Sequence, residues 1–143
     1  MSYTTDLLDG LARLLDAAGV GTYRPTGPYV TGETAITIAS MPSVPDRVIC
    51  LDAYPVEESA GLTDTTTGVQ VWTRAGPDPR DVIALDDAAF GVLQGSGPHL
   101  WGVARVQLVY RQSAAGLGTD ATHRHERTSN FYCRAHRAAP NLE

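Results

Sequence analysis

The sequence predicts an α+β domain: a mostly antiparallel or mixed sheet with two helices packed on one face. Two stretches place apolar residues at helical spacing. Between and after them lie runs of alternating, β-branched strand character. Gly, Pro and Asp punctuate the joints, and the order reads helix, three strands, helix, then two or three strands. At 143 residues, with no internal repeat, linker or low-complexity tract, residues 1–143 read as one domain able to bury a core.

Leu7, Leu8, Leu11, Leu14, Leu15 and Ala18 line one side of the first segment, with Asp6, Asp9, Arg13 and Asp16 on the other. Thr4 or Thr5 is the expected cap and Gly19 the expected stop. Gly21 to Gly32 is turn material. Thr34 to Ala39 reads as a short strand, Met41 to Pro45 as a turn and Asp46 to Tyr54 as the next strand. Pro55 to Thr66 is polar and acidic with almost nothing to bury, so a mobile loop is expected. Strand character resumes over Thr67 to Ala75. Asp78-Pro79-Arg80-Asp81 then opens a helix: aspartate caps, proline fits the first turn, and Asp81 meets the positive end of the helix dipole. Val82, Leu85, Ala89, Val92 and Leu93 form its apolar face, ended by Gly95 to Pro98.

The C-terminal third is the most distinctive part. Leu100 to Ser113 alternates like a strand and is followed by a glycine-rich break, Ala115 to Asp120. A second alternating run, Thr122 to Arg137, is crowded with arginine, histidine and tyrosine. Two long strands that bury little and present many polar side chains suit a surface joining sister subunits or partners.

Hydrophobic residues make up 43% and charged residues 19%, ordinary for a soluble domain. No apolar run approaches the ~20 residues that span a bilayer. The N-terminus has no signal-peptide pattern, so synthesis and residence in a cytoplasm are expected unless an assembly carries the chain out. The net charge of -5 argues against a general nucleic-acid binder. There is no lysine, and residues 1–120 carry 7 arginines against 14 acids while 121–143 carry 4 against 2. An acidic body with a basic C-terminal arm can pair head to tail with its own copies. Cys50 and Cys133 follow no metal spacing and read as two buried thiols, with a disulfide as the alternative.

Motifs for chemistry are weak. His123 and His125 would share a face in a strand and could grip one ion with a carboxylate from elsewhere, but among arginines they read as solvent-facing. Asp86 and Asp87 point apart on a helix and read as a solvated face. Asp46 and Asp52 lie too far apart to share a proton. No nucleophile elbow, dinucleotide loop or phosphate loop is present in the sequence. Trp72 and Trp101 read as core, and Tyr110 and Tyr132 as half-buried with wet hydroxyls. The expectation is no enzyme, no catalytic residue, no metal and no cofactor.

The segment Gly68-Val-Gln-Val-Trp-Thr-Arg-Ala-Gly-Pro-Asp-Pro79, a helix, then Val106-Gln-Leu-Val-Tyr-Arg-Gln-Ser113 resembles small tail proteins of long-tailed actinobacterial phages. So does Leu117 to Asp120 followed by Arg124-His-Glu-Arg-Thr-Ser-Asn-Phe-Tyr132. Such proteins are filed as minor capsid or tail terminator proteins. The resemblance implies a homohexameric ring on the head-proximal end of the tail tube. That ring ends tube growth, offers the head its joining surface and lets DNA pass through the lumen without specific binding.

The partners so implied are sister subunits, the tail tube protein and head–tail connector proteins, with no membrane. The location implied is the tail–neck region of a virion assembled in the host bacterial cytoplasm. Arg124, Glu126, Arg127 and Asn130 are the expected subunit-contact row. Glu57, Glu58 and Asp64 are the expected lumen or tube-facing loop, where acids would repel phosphate. Another neck protein (head-completion or head–tail adaptor), the tail tube protein itself, and a small metal-dependent hydrolase are the alternatives.

Overall fold

The structure, a computed structural model, describes residues 2–143. The chain runs α1 (Tyr3–Ala17), β1 (Thr22–Tyr23), β2 (Ala35–Ile38), β3 (Val48–Glu58), β4 (Asp64–Arg74), α2 (Pro79–Leu93), β5 (His99–Trp101), β6 (Ala104–Thr119) and β7 (His125–His136). One seven-stranded mixed sheet has the order β1-β2-β3-β4-β7-β6-β5. The β1–β2 and β2–β3 pairs are parallel and the rest antiparallel. The α+β expectation holds, with both helices on one face.

That face follows from the alternation of each strand. Ile49 and Leu51 of β3, Val69 and Val71 of β4, Phe131 and Cys133 of β7, and Val106 and Val109 of β6 are buried. They form one cluster with Leu7, Leu11 and Leu15 of α1 and Leu85, Ala89 and Leu93 of α2. Each fully buried leucine contributes about 1.5–3 kcal/mol, so the leucine stripe of α1 docks that helix far more firmly than its intrinsic propensity does. The caps match local chemistry. The Asp78 carboxylate accepts from the Arg80 N–H at 3.0 Å. Gly19 and Gly95 take positive φ just past the two helices.

Four local expectations are corrected. The first helix is capped by Ser2, not Thr4 or Thr5; its hydroxyl accepts from the Thr5 N–H at 3.1 Å. The helix starts earlier because Tyr3 is buried, with its hydroxyl 2.8 Å from that of Thr67. The expected single strand over 100–113 breaks at Gly102-Val103, where the Asp6 carboxylate occupies the space a Cβ on Gly102 would need and accepts from the Val103 N–H at 2.9 Å.

The glycine-rich stretch is no break. β6 runs through it to Thr119, absorbing it with register shifts between Arg111 and Ser113 and between Gly116 and Gly118. The loop expected over 55–66 is mostly a hairpin. β3 continues to Glu58 and β4 begins at Asp64, with a bulge between Pro55 and Glu57. Backbone pairing needs no apolar side chains. The tip is also tied to the C-terminus, through Thr63 N–H to Glu143 O and Glu143 N–H to Gly61 O.

The turn from β6 to β7 is built on Asp120. Its carboxylate accepts from the Arg124 N–H at 2.9 Å and the Thr122 N–H at 3.0 Å, and pairs with the Arg124 side chain at 2.8 Å. The Arg124 amide bond foremost, with those of Thr122, holds its pKa down at about 2. A carboxyl depressed below its unfolded value near 3.9 stabilises the fold above that pH. The contribution is lost as pH falls through the folded value. An NMR titration is expected to place the Asp120 midpoint near 2, with the Arg124 amide resonance moving in step. A midpoint at the ordinary carboxylate value would show that the turn is not held this way.

Candidate assembly surface

The sheet face opposite the helices is covered only in part, where Tyr29 and Met41 pack over Ala35, Val48 and Cys50. The remainder carries half-buried side chains from β3, β4, β7 and β6. Cross-strand hydrogen bonds join them: Gln70 Nε2 to Thr128 Oγ1 at 3.1 Å, Tyr54 hydroxyl to Asn130 Oδ1 at 3.2 Å and Asn130 Nδ2 to Ser113 Oγ at 3.2 Å. Trp72 donates from Nε1 to Glu126 Oε1 at 2.5 Å, and Tyr110 meets Tyr132 edge to face with ring centres 5.9 Å apart. Gly68 lets Tyr54 lie flat across β4; a Cβ there would sit 2.3 Å from the ring. Aromatic rings braced by amides form a stiff surface with little side-chain entropy left to lose on contact.

The expected contact row is divided between the two faces. Glu126 and Asn130 lie on the uncovered face in the bonds just described. Arg124, in the turn before β7, donates to Ser43 O at 2.6 Å as well as to Asp120. Arg127 points to the helix face, where its Nε lies 3.2 Å from Asp86. Asp86, expected in solvent beside Asp87, is 1% exposed. It accepts from the Ser129 hydroxyl at 2.7 Å, and Arg111 approaches it at 3.8 Å. The adjacent pair does point apart, as helix geometry demands, but α2 turns Asp86 onto β7. All four row residues therefore hold partners within the subunit.

Glu57 and Glu58 end β3 and Asp64 begins β4, all exposed. Glu58 pairs with Arg137 at 3.6 Å. His123 and His125 do not share a strand face: His123 sits in the turn with φ 63° and His125 starts β7. Among the described residues, no group of three or more His, Cys, Asp or Glu is placed to hold a metal ion. Cys50 and Cys133 are free and buried, and burial pushes the Cys133 thiol up to about 12. Trp101 is half-buried at the sheet edge, stacked on His99 at 4.2 Å. Two clefts flank β5, one lined by His99, Leu100, Arg105 and His136, the other by Asp6, Asp9, Arg13 and Trp101. Sequence reasoning missed the β5 edge because a single strand was expected there; Gly102 was the available signal.

The fold is similar to that of a chain described as "Virion of native gene transfer agent (GTA) particle". The TM-score is 0.55, the sequence identity 13%, and the match covers 90% of this chain and 91% of that one. At that identity the likeness concerns the fold alone. No curated protein matches the chain. Residues 14–137, most of the chain, match a family model that defines its class as a structural protein of the bacteriophage tail. The family is described as "Bacteriophage tail terminator protein", and the chain belongs to it.

Proposed function

We propose that the protein works as a closed homohexameric ring on the head-proximal end of the tail tube. There it ends tube polymerisation and provides the surface on which the head joins, with no chemistry of its own. The observation that carries this reading is the long sheet face that no helix covers, rich in braced aromatics and amides, on a chain of the tail terminator family. A subunit of this shape gains most by placing that face and its edges against neighbours.

Glu126 and Asn130, with Arg124 at the turn, contribute to the subunit-contact region; Arg127 acts from behind, through Asp86. The hairpin end with Glu57, Glu58 and Asp64 supplies an acidic rim toward the lumen or the tube, past which DNA moves without sticking. Tail tube protein on one side and connector proteins on the other are the partners, at the tail–neck region of a virion assembled in the host cytoplasm.

Native mass spectrometry and electron microscopy of purified protein are expected to show rings of six. Labelled protein is expected at one end of tails from head-less lysates. Long tubes formed by the protein alone would favour a tube protein instead. A strict monomer, both in concentrated solution and on tails, would overturn the reading.

A further inference from the structure

Eight of the eleven arginines are paired with carboxylates inside the subunit. A ninth, Arg74, donates to the carbonyls of Pro45 and Asp46 at 2.7 and 3.0 Å. Among the described residues, Arg105 and Arg134 alone make no such bond, and both are exposed. Asp52, Glu57 and Asp64 likewise have no cationic partner.

Strand register puts Glu57, Asp64, Arg105 and Arg134 on one face and in two adjacent rows. Glu57 on β3 pairs with Thr66, Thr66 with Arg134, and Arg134 with Leu108. In the next row Asp64 pairs with His136, His136 with Arg105, and Arg105 with Leu100. Directly paired residues share a sheet face, and Val106 and Ala135, one position along, are buried under the helices. Both rows therefore lie on the uncovered face. Each begins with a carboxylate and ends with an unpaired arginine beside an exposed leucine; Leu108 is 37% and Leu100 71% exposed. Within a row acid and arginine stand two strand spacings, about 10 Å, apart.

We propose that neighbouring copies meet flank to flank. Arg105 and Arg134, with Leu100 and Leu108, of one subunit dock on Glu57 and Asp64, with the exposed Val56, of the next. The inference rests on the ring reading and specifies its lateral contact: Glu57 and Asp64 then sit in the seam between copies, and of the three hairpin acids only Glu58 is left to face the lumen or the tube. A second copy fits because one chain carries both halves of the complement at equal height along the strands. Head-to-tail repetition about an axis parallel to the strands then closes a ring without axial rise. The contact is made by side chains, not by strand addition. Pro55 has no N–H to offer on the open half of β3, the Ala53 N–H is taken by Asp52 Oδ1 at 2.9 Å, and the bulge at Pro55–Glu57 kinks the edge.

The test uses the full chain and native mass spectrometry, with circular dichroism as the check on folding. Arg105→Glu with Arg134→Glu gives acids on both flanks, and Glu57→Arg with Asp64→Arg gives arginines on both. Each double variant is expected to stay folded and to lose ring formation by roughly tenfold or more in concentration. An equimolar mixture of the two is expected to restore even-numbered rings of alternating copies.

Wild-type rings accompanied by undiminished rings from either variant would overturn the flank contact while leaving the ring reading intact. So would a mixture that fails to restore rings. A wild-type monomer under all conditions would overturn both.

Discussion

Replacing Asp86 with alanine is expected to lower unfolding stability by about 3–5 kcal/mol, the usual cost of removing one partner of a buried ion pair. The carboxylate is the common acceptor for Ser129 and Arg127, at 2.7 and 3.2 Å, and α2 buries it against β7. Its removal leaves the Ser129 hydroxyl, itself fully buried, without an acceptor, and leaves a guanidinium with no counter-charge. The two arginines retain about a quarter of their side-chain exposure, at 28% and 26%, and Arg111 also lies over the Phe90 ring at 4.3 Å. Water therefore relieves part of the loss, which favours the lower end of the range. Asp87, one residue on, is exposed and unpaired, so Asp87→Ala is expected within about 0.5 kcal/mol of wild type. Urea unfolding with an unchanged slope reads both. Equal midpoints for the two variants would show that Asp86 holds nothing. Arg127→Glu places two carboxylates together at the same spot and is expected to unfold the subunit partly, so any loss of rings in that variant reports folding rather than contact.

The elements legible in the sequence are those whose signal is local. The leucine spacing of α1, the Asp78-Pro79 start of α2 and the alternation of β2, β3 and β4 need only neighbours along the chain. What the sequence hides depends on partners far away. Gly116 and Gly118 look like a break, yet they lie in β6 because β7 supplies Arg127 and Glu126 opposite them. Glu57 to Asp64 looks like a loop because hydrophobicity scores side chains, whereas the hairpin is held by backbone bonds and by Glu143. The candidate surface was half legible for the same reason. Polar strands crowded with arginine single out this stretch of the chain, but which arginines are spare is a tertiary fact. Arg124 and Arg127 are spent on Asp120 and Asp86, while Arg105 and Arg134 form no ion pair within the same copy.

Gly10→Val is expected to cost about 2–3 kcal/mol, the upper part of the range for overfilling a packed site. Gly10 lies in the middle of α1, where helix propensity alone would favour almost any other residue by up to about 1 kcal/mol. The reason for glycine is Trp101: a Cβ on residue 10 would lie 2.0 Å from the indole Cδ2. The ring cannot easily give way, since His99 stacks on it with planes 12° apart. A valine must push β5 off α1, exposing the indole. Tryptophan fluorescence should shift to the red in Gly10→Val; removing Trp72 in the same background should leave the shift in place. Gly91→Ala in α2, where nothing lies within 4 Å of the new Cβ, is the contrasting case and should stabilise by up to about 1 kcal/mol. Equal behaviour of the two glycine variants would show that Trp101 does not rest on α1. Because β5 also carries Leu100 at the sheet edge, displacing it from α1 should disturb ring formation at valine substitutions that leave the rest of the sheet paired, tying the stability of a helix–strand contact to the geometry of the flank.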